Sequence, residues 1–271
     1  MDFSFTEDQN SIRELVKQVL TDIVSDDSLK ALAREGKWFH ERAWKQLADS
    51  EMLGLAVPEE YGGAGMGLTE LCLLLQQVGR TVAPIPALET LVSAALPLAE
   101  FGTAAQKDRF LGGIVRGETI MTAALVDSGS RDPLNPSAVA KADGEQWRVT
   151  GRFSNVAYAD RAARALVPAR SEDGAVLLLL VDPKADGVRL AAQKGTNGQP
   201  LWLLELDDAP VGAADVLGGP GRGEEALRYL VDRTNLGICA VEYGIAEQAL
   251  FMTANYSGER KQFGVPIATF Q

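Results

Sequence analysis

The sequence predicts an α+β, multidomain fold: an N-terminal α-helical bundle, a middle β-barrel or sandwich, and a long helix that opens a third, helical part. Three observations predict it. Apolar residues recur every three or four positions up to about Gly117, the period of helices with one buried face. From Glu118 to about Gly212 short apolar and β-branched runs are cut by Asp-Gly turns, with no helical stretch between them. After Gly223 a single helical face continues almost to the end. The boundaries read from these shifts are residues 1–117, 118–219 and 220–271.

The first helix opens at Thr6-x-x-Gln9, a capping-box pattern, and Ile12, Leu15, Val16, Val19 and Ile23 then share a face. His40 starts a second amphipathic stretch, as a surface or capping residue; Trp44, Leu47 and Leu53 line it, and it stops at Gly54. Residues 68–82 are apolar almost all round and read as a buried helix; 88–102 and 104–117 are two more. The loop Gly54–Gly67 is too rich in glycine for a helix interior, and Gly62-Gly63 suits positive φ. It lacks a preceding strand and the G-x-G-x-x-G spacing, which excludes a dinucleotide fingerprint. Candidate strands follow at residues 119–126, 137–143, 146–151, 164–171, 175–182, 187–193 and 200–208.

In the final helix Leu227, Leu230, Thr234, Ile238, Val241, Ile245, Ala249 and Met252 step along one face. At 1.5 Å per residue such a helix is on the order of 50 Å long. Gly237, Ala240 and Gly244 allow another backbone close, and Gly244 is also a candidate for leaving room for a bulky ligand. A helix of this length needs partners on more than one side, from an unfinished domain or from another chain.

Composition narrows the function. A net charge of −11 argues against nucleic acid and anionic membrane surfaces, which bind through clustered Lys and Arg. No apolar run reaches the length of a membrane span, and the N-terminus lacks the basic and apolar blocks of a secretory signal. Cys72 and Cys239 have no metal or redox spacing and read as buried free thiols in a reducing, cytoplasmic compartment. With His40 the single histidine, no metal cluster or Ser-His-Asp triad is expected, so acid–base chemistry falls to a carboxylate.

Two strings carry more information. Pro58-Glu59-Glu60-Tyr61-Gly62-Gly63 sits in the glycine-rich loop, and the chain closes on Arg260-Lys-Gln-Phe-Gly-Val-Pro-Ile-Ala-Thr-Phe-Gln271. With the order helices, β region, long helix, they resemble the acyl-CoA dehydrogenase family over the whole chain. The resemblance implies FAD as cofactor, an acyl-CoA thioester as substrate, electron-transfer flavoprotein as electron acceptor, and a homo- or hetero-oligomer. It implies FAD contacts from Arg260 and Gln271, often across a subunit boundary, with Phe263 packed beside the nucleotide. A guanidinium suits the pyrophosphate because its fork pairs bidentately.

The family's strand ending Thr-Glu-Pro-x-x-Gly-Ser-Asp is represented by Leu125 to Asp132. Gly129 and Ser130 survive, and Val126 or Ala124 stands at the threonine, so Leu125 and Val126 join the expected flavin contacts. The family's Trp-Ile-Thr strand falls on Asn155-Val156-Ala157, which adds Val156 and Ala157. Asp232 and Asn235 match the substrate-binding acid-x-x-Arg, with asparagine at the arginine position. In the family a carboxylate removes the acyl α-proton while the flavin accepts a β-hydride. One alternative place for that base aligns with Thr234, which cannot serve, so no catalytic residue is assigned. The other place lies beyond the closing string, as if the chain stops inside a C-terminal four-helix bundle. A partial sequence, one chain of a hetero-oligomer, and a degenerate non-catalytic partner all fit that pattern. A related flavin monooxygenase or nitroalkane oxidase keeps the same order; the two strings favour the dehydrogenase branch.

Overall fold

The computed structural model describes residues 4–219 and 221–270; Gln271 lies outside them. The N-terminal helices are α1 (Glu7–Ile23), α2 (Asp26–Arg34), α3 (Glu41–Asp49), α4 (Leu68–Thr81), a π-helical segment Leu88–Ala95 that runs into α5 (Leu96–Phe101), and α6 (Ala104–Val115). Thr6 caps α1 as expected. Its Oγ1 accepts from the Gln9 N–H at 3.2 Å, and Gln9 Oε1 accepts from the Thr6 N–H at 3.1 Å. The buried face is Ile12, Val16 and Leu20, with Val19 and Ile23 packed beside it; Leu15 is exposed, because spacing by four turns it away from the core. Helix α2 has no counterpart in the sequence reading. It is nine residues long and none of them is buried; a Ser25–Ser28 capping box starts it. His40 is the N-cap of α3, with Nδ1 accepting from the Ala43 N–H at 3.3 Å, and it is buried rather than on the surface. In the glycine-rich loop Gly62 takes φ +86°, whereas Gly63 is needed for contact: a Cβ there would overlap the Val57 carbonyl.

The strands are β1 (Met121–Ala123), β2 (Val126–Asp127), β3 (Val139–Asp143), β4 (Gln146–Ala157), β5 (Arg164–Ser171), β6 (Val176–Val181), β7 (Val188–Lys194) and β8 (Pro200–Gly212). They form one curled eight-stranded sheet in the order β1-β5-β3-β4-β8-β7, with β2 on β4 and β6 on β5. Among the described residues only β1–β5 and β3–β5 are parallel. Every residue of β6 is buried. Leu177, Leu179 and Val181 enter the β core, while Val176, Leu178 and Leu180 enter the helical core, which is why this strand is apolar without alternation. The β4–β8 ladder slips between Phe153 and Val156, and there Asn155 takes φ +56°, a conformation asparagine tolerates better than most residues.

The last helix, α7 (Gly223–Glu259), is 37 residues long. Its first half joins the helical core through Ala226, Leu227, Leu230 and Val231. It crosses α4 at a glycine pair: a Cβ on Gly79 would overlap the Val241 carbonyl, and one on Gly244 the Gln76 carbonyl. Gly244 therefore makes room for a helix, not a ligand. The expected apolar face is buried only in part. Leu227, Leu230 and Thr234 are inside, whereas Ile238, Ile245 and Met252 are exposed together with Leu250, Phe251 and Tyr256. Beyond α7 a short hairpin, β9 (Lys261–Gln262) and β10 (Val265–Pro266), carries Phe263 at its turn, 95% exposed.

Candidate functional site

A cleft of about 970 Å³ opens between the β1–β2 edge, the π-helical segment, the β7–β8 turn and α7. Thr90 locks two of these walls: its Oγ1 donates to the Met121 carbonyl at 2.9 Å and accepts the Met121 N–H at 3.3 Å. The cleft brings together Leu125, Val126, Ser130, Ala157 and Asn235 among the residues singled out from sequence. Of the two registers left open for the threonine, Val126 faces the cleft, half exposed, and Ala124 is fully buried in the β core. Val156 is likewise sealed in the β core, because neighbouring strand residues point to opposite faces, and it is Ala157 and the bulged Asn155 that reach the cleft. Gly129 stands just behind the wall, where a Cβ would overlap the Ser137 hydroxyl.

Asp127 builds the loop that follows. Its Oδ1 accepts from the Gly129 N–H at 2.8 Å and the Ser137 hydroxyl at 2.6 Å, and its Oδ2 from the Ser137 N–H at 2.6 Å. Burial would raise this carboxyl, but hydrogen bonds from Ser137, Gly129 and Ala138 outweigh it and hold the group below its ordinary range. Ser130, at the rim, is held by Asp132: its Oγ donates to the Asp132 carbonyl at 3.0 Å and accepts from the Asp132 N–H at 3.2 Å.

On α7, Thr234 and Asn235 face the cleft. Thr234 donates to Ser93 Oγ at 2.9 Å and has no acid–base capacity. Asp232 is exposed on α7 outside the cleft lining, and Arg233 stacks over the Tyr229 ring at 4.7 Å. Arg260 lies at the far end of α7, bonded to the Tyr256 hydroxyl and stacked on that ring. It is 25 residues beyond Asn235, about 38 Å at 1.5 Å per residue. Arg260 and Phe263 therefore do not meet the cleft of their own chain.

Two cleft residues escaped the sequence reading. Glu89, a lone acid within the apolar run Leu88 to Leu98, accepts from Gln199 Nε2 at 2.6 Å. Burial pushes its carboxyl up to about 7, against the lowering effect of its backbone and Gln199 hydrogen bonds. The solitary charge in an apolar helix was the available signal. Thr122 is buried in the wall, and its hydroxyl has no hydrogen-bond partner among the described residues.

An isoalloxazine ring offers a flat apolar body with a polar pyrimidine edge. The cleft's volume, the unpartnered Thr122 hydroxyl, and the Leu125–Val126 strand end leading to Ser130 fit such a group. Val126 and Asn155 provide neither the hydroxyl nor the indole expected at their positions. No group of three metal-ligating side chains occurs among the described residues.

Comparison with known proteins places these features in a class. The model of the acyl-CoA dehydrogenase N-terminal domain matches residues 6–118. Acyl-CoA dehydrogenase FadE28 of Mycobacterium tuberculosis is 35% identical over all of this chain and 70% of its own length. FadE27 of the same organism is 32% identical with the same coverage. A variant of the Tcur3481–Tcur3483 steroid ACAD superposes with TM-score 0.89 at 39% identity, covering 98% of this chain and 70% of the other. The ChsE4–ChsE5 complex of M. tuberculosis superposes with TM-score 0.93 at 31% identity, covering 100% and 72%. The chain belongs to the acyl-CoA dehydrogenase family of oxidoreductases, as the motif resemblance implied, and its fold is that family's helical region, curled sheet and long C-terminal helix.

Proposed function

We propose that the chain is a subunit of an FAD-dependent acyl-CoA dehydrogenase that introduces an α,β double bond into an acyl-CoA thioester. The observation that carries this reading is the separation along α7: Asn235 lines the cleft, whereas Arg260 sits about 38 Å further on, with Phe263 in the hairpin beyond it. One chain thus holds two halves of different sites. The cleft, through Leu125, Val126, Ser130 and Ala157, would seat the flavin ring. Arg260 and Phe263, with Gln271, would address the cofactor of a neighbouring subunit. Bound FAD would supply a hydride acceptor. The exposed apolar second half of α7 supports an oligomer, and two similar solved structures carry paired names, Tcur3481–Tcur3483 and ChsE4–ChsE5. Electron-transfer flavoprotein is the acceptor proposed, and the cytoplasm the compartment, in keeping with two free cysteines, although Cys72 is half-buried and Cys239 exposed rather than both buried as expected. No helix among the described residues is long and apolar enough to cross a membrane. The division at 117/118 and 219/220 is kept as a proposal, with the start of α7 sharing the core of the N-terminal helices.

A second reading is favoured by Thr234. Where a proton acceptor is needed, this chain has a hydroxyl already bonded to Ser93. The chain would then be the non-catalytic partner in a hetero-oligomer, with the base on its companion. The visible spectrum of the purified protein, with and without acyl-CoA, tests both. Flavin bands that bleach support the dehydrogenase reading. Bands that appear and bleach only when a second subunit is present support the partner reading. A protein that binds no flavin in any assembly overturns both.

A further inference from the structure

The chain has two cysteines, far apart in sequence, and the fold brings both into one groove between α4 and α7. The groove, about 390 Å³, takes Thr69, Cys72 and Gln76 from α4 and Cys239, Ala240 and Tyr243 from α7. Both cysteines are free thiols; Cys72 is half-buried and Cys239 is exposed.

The helix crossing explains why they meet. Contacts step along both helices in the same direction: a Cβ on Gly237 would press on Leu75, one on Gly79 would overlap the Val241 carbonyl, and Arg80 pairs with Glu247 at 3.0 Å. Gly244 lies on the Gln76 carbonyl with no room for a Cβ. One turn earlier on each helix stand Cys72 and Ala240, with Cys239 next to Ala240. Backbones in contact at the neighbouring turn are what a disulfide requires, since its two Cα atoms lie about 4.4–6.8 Å apart. The two sulfurs also sense each other. Burial raises the Cys72 thiol above its ordinary value, and Cys239 and then Glu70 add to the rise. A thiol so placed is slow to ionise, which suits it to the second, resolving step of an exchange rather than to the first attack.

We propose that Cys72 and Cys239 are a reversible redox pair, whose disulfide braces α7 against α4 when thiols are oxidised. The proposal goes beyond the acyl-CoA reading and does not depend on it. The step is thiol–disulfide exchange with a small disulfide, oxidised glutathione. The exposed Cys239 thiolate attacks one sulfur of the oxidant, whose S–S bond breaks, and one glutathione leaves. The Cys72 thiolate then attacks the Cys239 sulfur of the mixed disulfide and releases the second glutathione. Two cysteine thiols are thereby oxidised to one disulfide, one oxidised glutathione is reduced to two thiols, and the two cysteine protons end on the departing glutathiones. The closed bond holds α7 in the stretch between Asn235, at the cleft, and Arg260, at the far end.

The test incubates the full chain, in its native assembly, with oxidised glutathione and reads free thiols, the intact mass without reductant, and the peptide map. The wild-type chain should lose both thiols, weigh two hydrogens less rather than gain glutathione, and give one peptide pair that joins Cys72 to Cys239; dithiothreitol should restore both thiols. The oxidised chain should unfold at a higher urea midpoint than the reduced chain, because the cross-link closes a long loop. Cys239→Ser should form no joined peptide and show no oxidant-dependent shift of the midpoint. Cys72→Ser should hold one glutathione at Cys239, since nothing resolves the mixed disulfide. Should Cys72→Ser fail to fold, Cys239→Ser changes an exposed position and still separates the outcomes. Wild-type chains that stay unmodified, that carry a glutathione on each cysteine, or that link Cys239 only to a second chain overturn the pair. A joined peptide with an unchanged urea midpoint overturns the brace.

Discussion

Replacing Glu89 by Gln should stabilise the protein at neutral and alkaline pH. The Glu89 carboxyl, ordinarily near 4.5, is pushed up to about 7 by burial. Raising it from 4.5 to about 7, at about 1.4 kcal/mol per tenfold change in proton affinity, corresponds to about 3.5 kcal/mol, and partial solvent access reduces this toward 2. The folded chain binds a proton at Glu89 more tightly than the unfolded chain does. Between 4.5 and about 7 the folded state therefore holds more protons, and stability falls as pH rises through that window, levelling off above it. Glutamine is never charged and can still accept from Gln199 Nε2, so it removes the pH-dependent cost and keeps the contact. Urea unfolding followed by tryptophan fluorescence, from about pH 4 to 8, measures it. The variant should exceed wild type by about 2–3 kcal/mol at about pH 8 and converge with it below about pH 5. Parallel pH profiles for the two proteins would show that Glu89 is not a strained, buried acid.

Other substitutions probe the remaining walls. Gly244→Ala forces α7 away from the Gln76 carbonyl and should cost about 1–3 kcal/mol or more, read as a lower urea midpoint. Asp127→Ala removes acceptors for Gly129 and Ser137, and should cost about 2–4 kcal/mol. Because that carboxyl is lowered, its contribution is present at neutral pH and lost as pH falls through its folded value, below 3.8. Val126→Thr places a hydroxyl on the cleft wall and should raise the flavin retained per chain through gel filtration; an unchanged ratio would remove Val126 from the ring site. Arg260→Lys should weaken FAD retention by about 1.5–3 kcal/mol, the value of a charge-assisted bond.

Much of this protein was legible in sequence because its signals are local. A Thr6-x-x-Gln9 cap, the period of three and four through α1 and α4, and Asp-Gly turns between strands depend on residues close along the chain. The closing string from Arg260 is local as well: Lys261–Gln262 and Val265–Pro266 pair in one short hairpin. What tertiary structure alone decided involves partners far apart. Leu15 points outward although its spacing placed it with Ile12 and Val16, because the core lies on the side of Leu20. The strand register around the bulge at Asn155 decided that Asn155 and Ala157 reach the cleft and Val156 does not, since a slip of one position reverses the side a strand residue shows. Gly244 looked like room for a ligand until α4 filled it, and Glu89 drew no notice until Gln199, 110 residues later, closed on it. Patterning along a chain sets which elements form and which faces are apolar. Which two faces meet, and what stands between them, follows from packing between distant segments, and that is where the cleft and the Glu89–Gln199 bond arise.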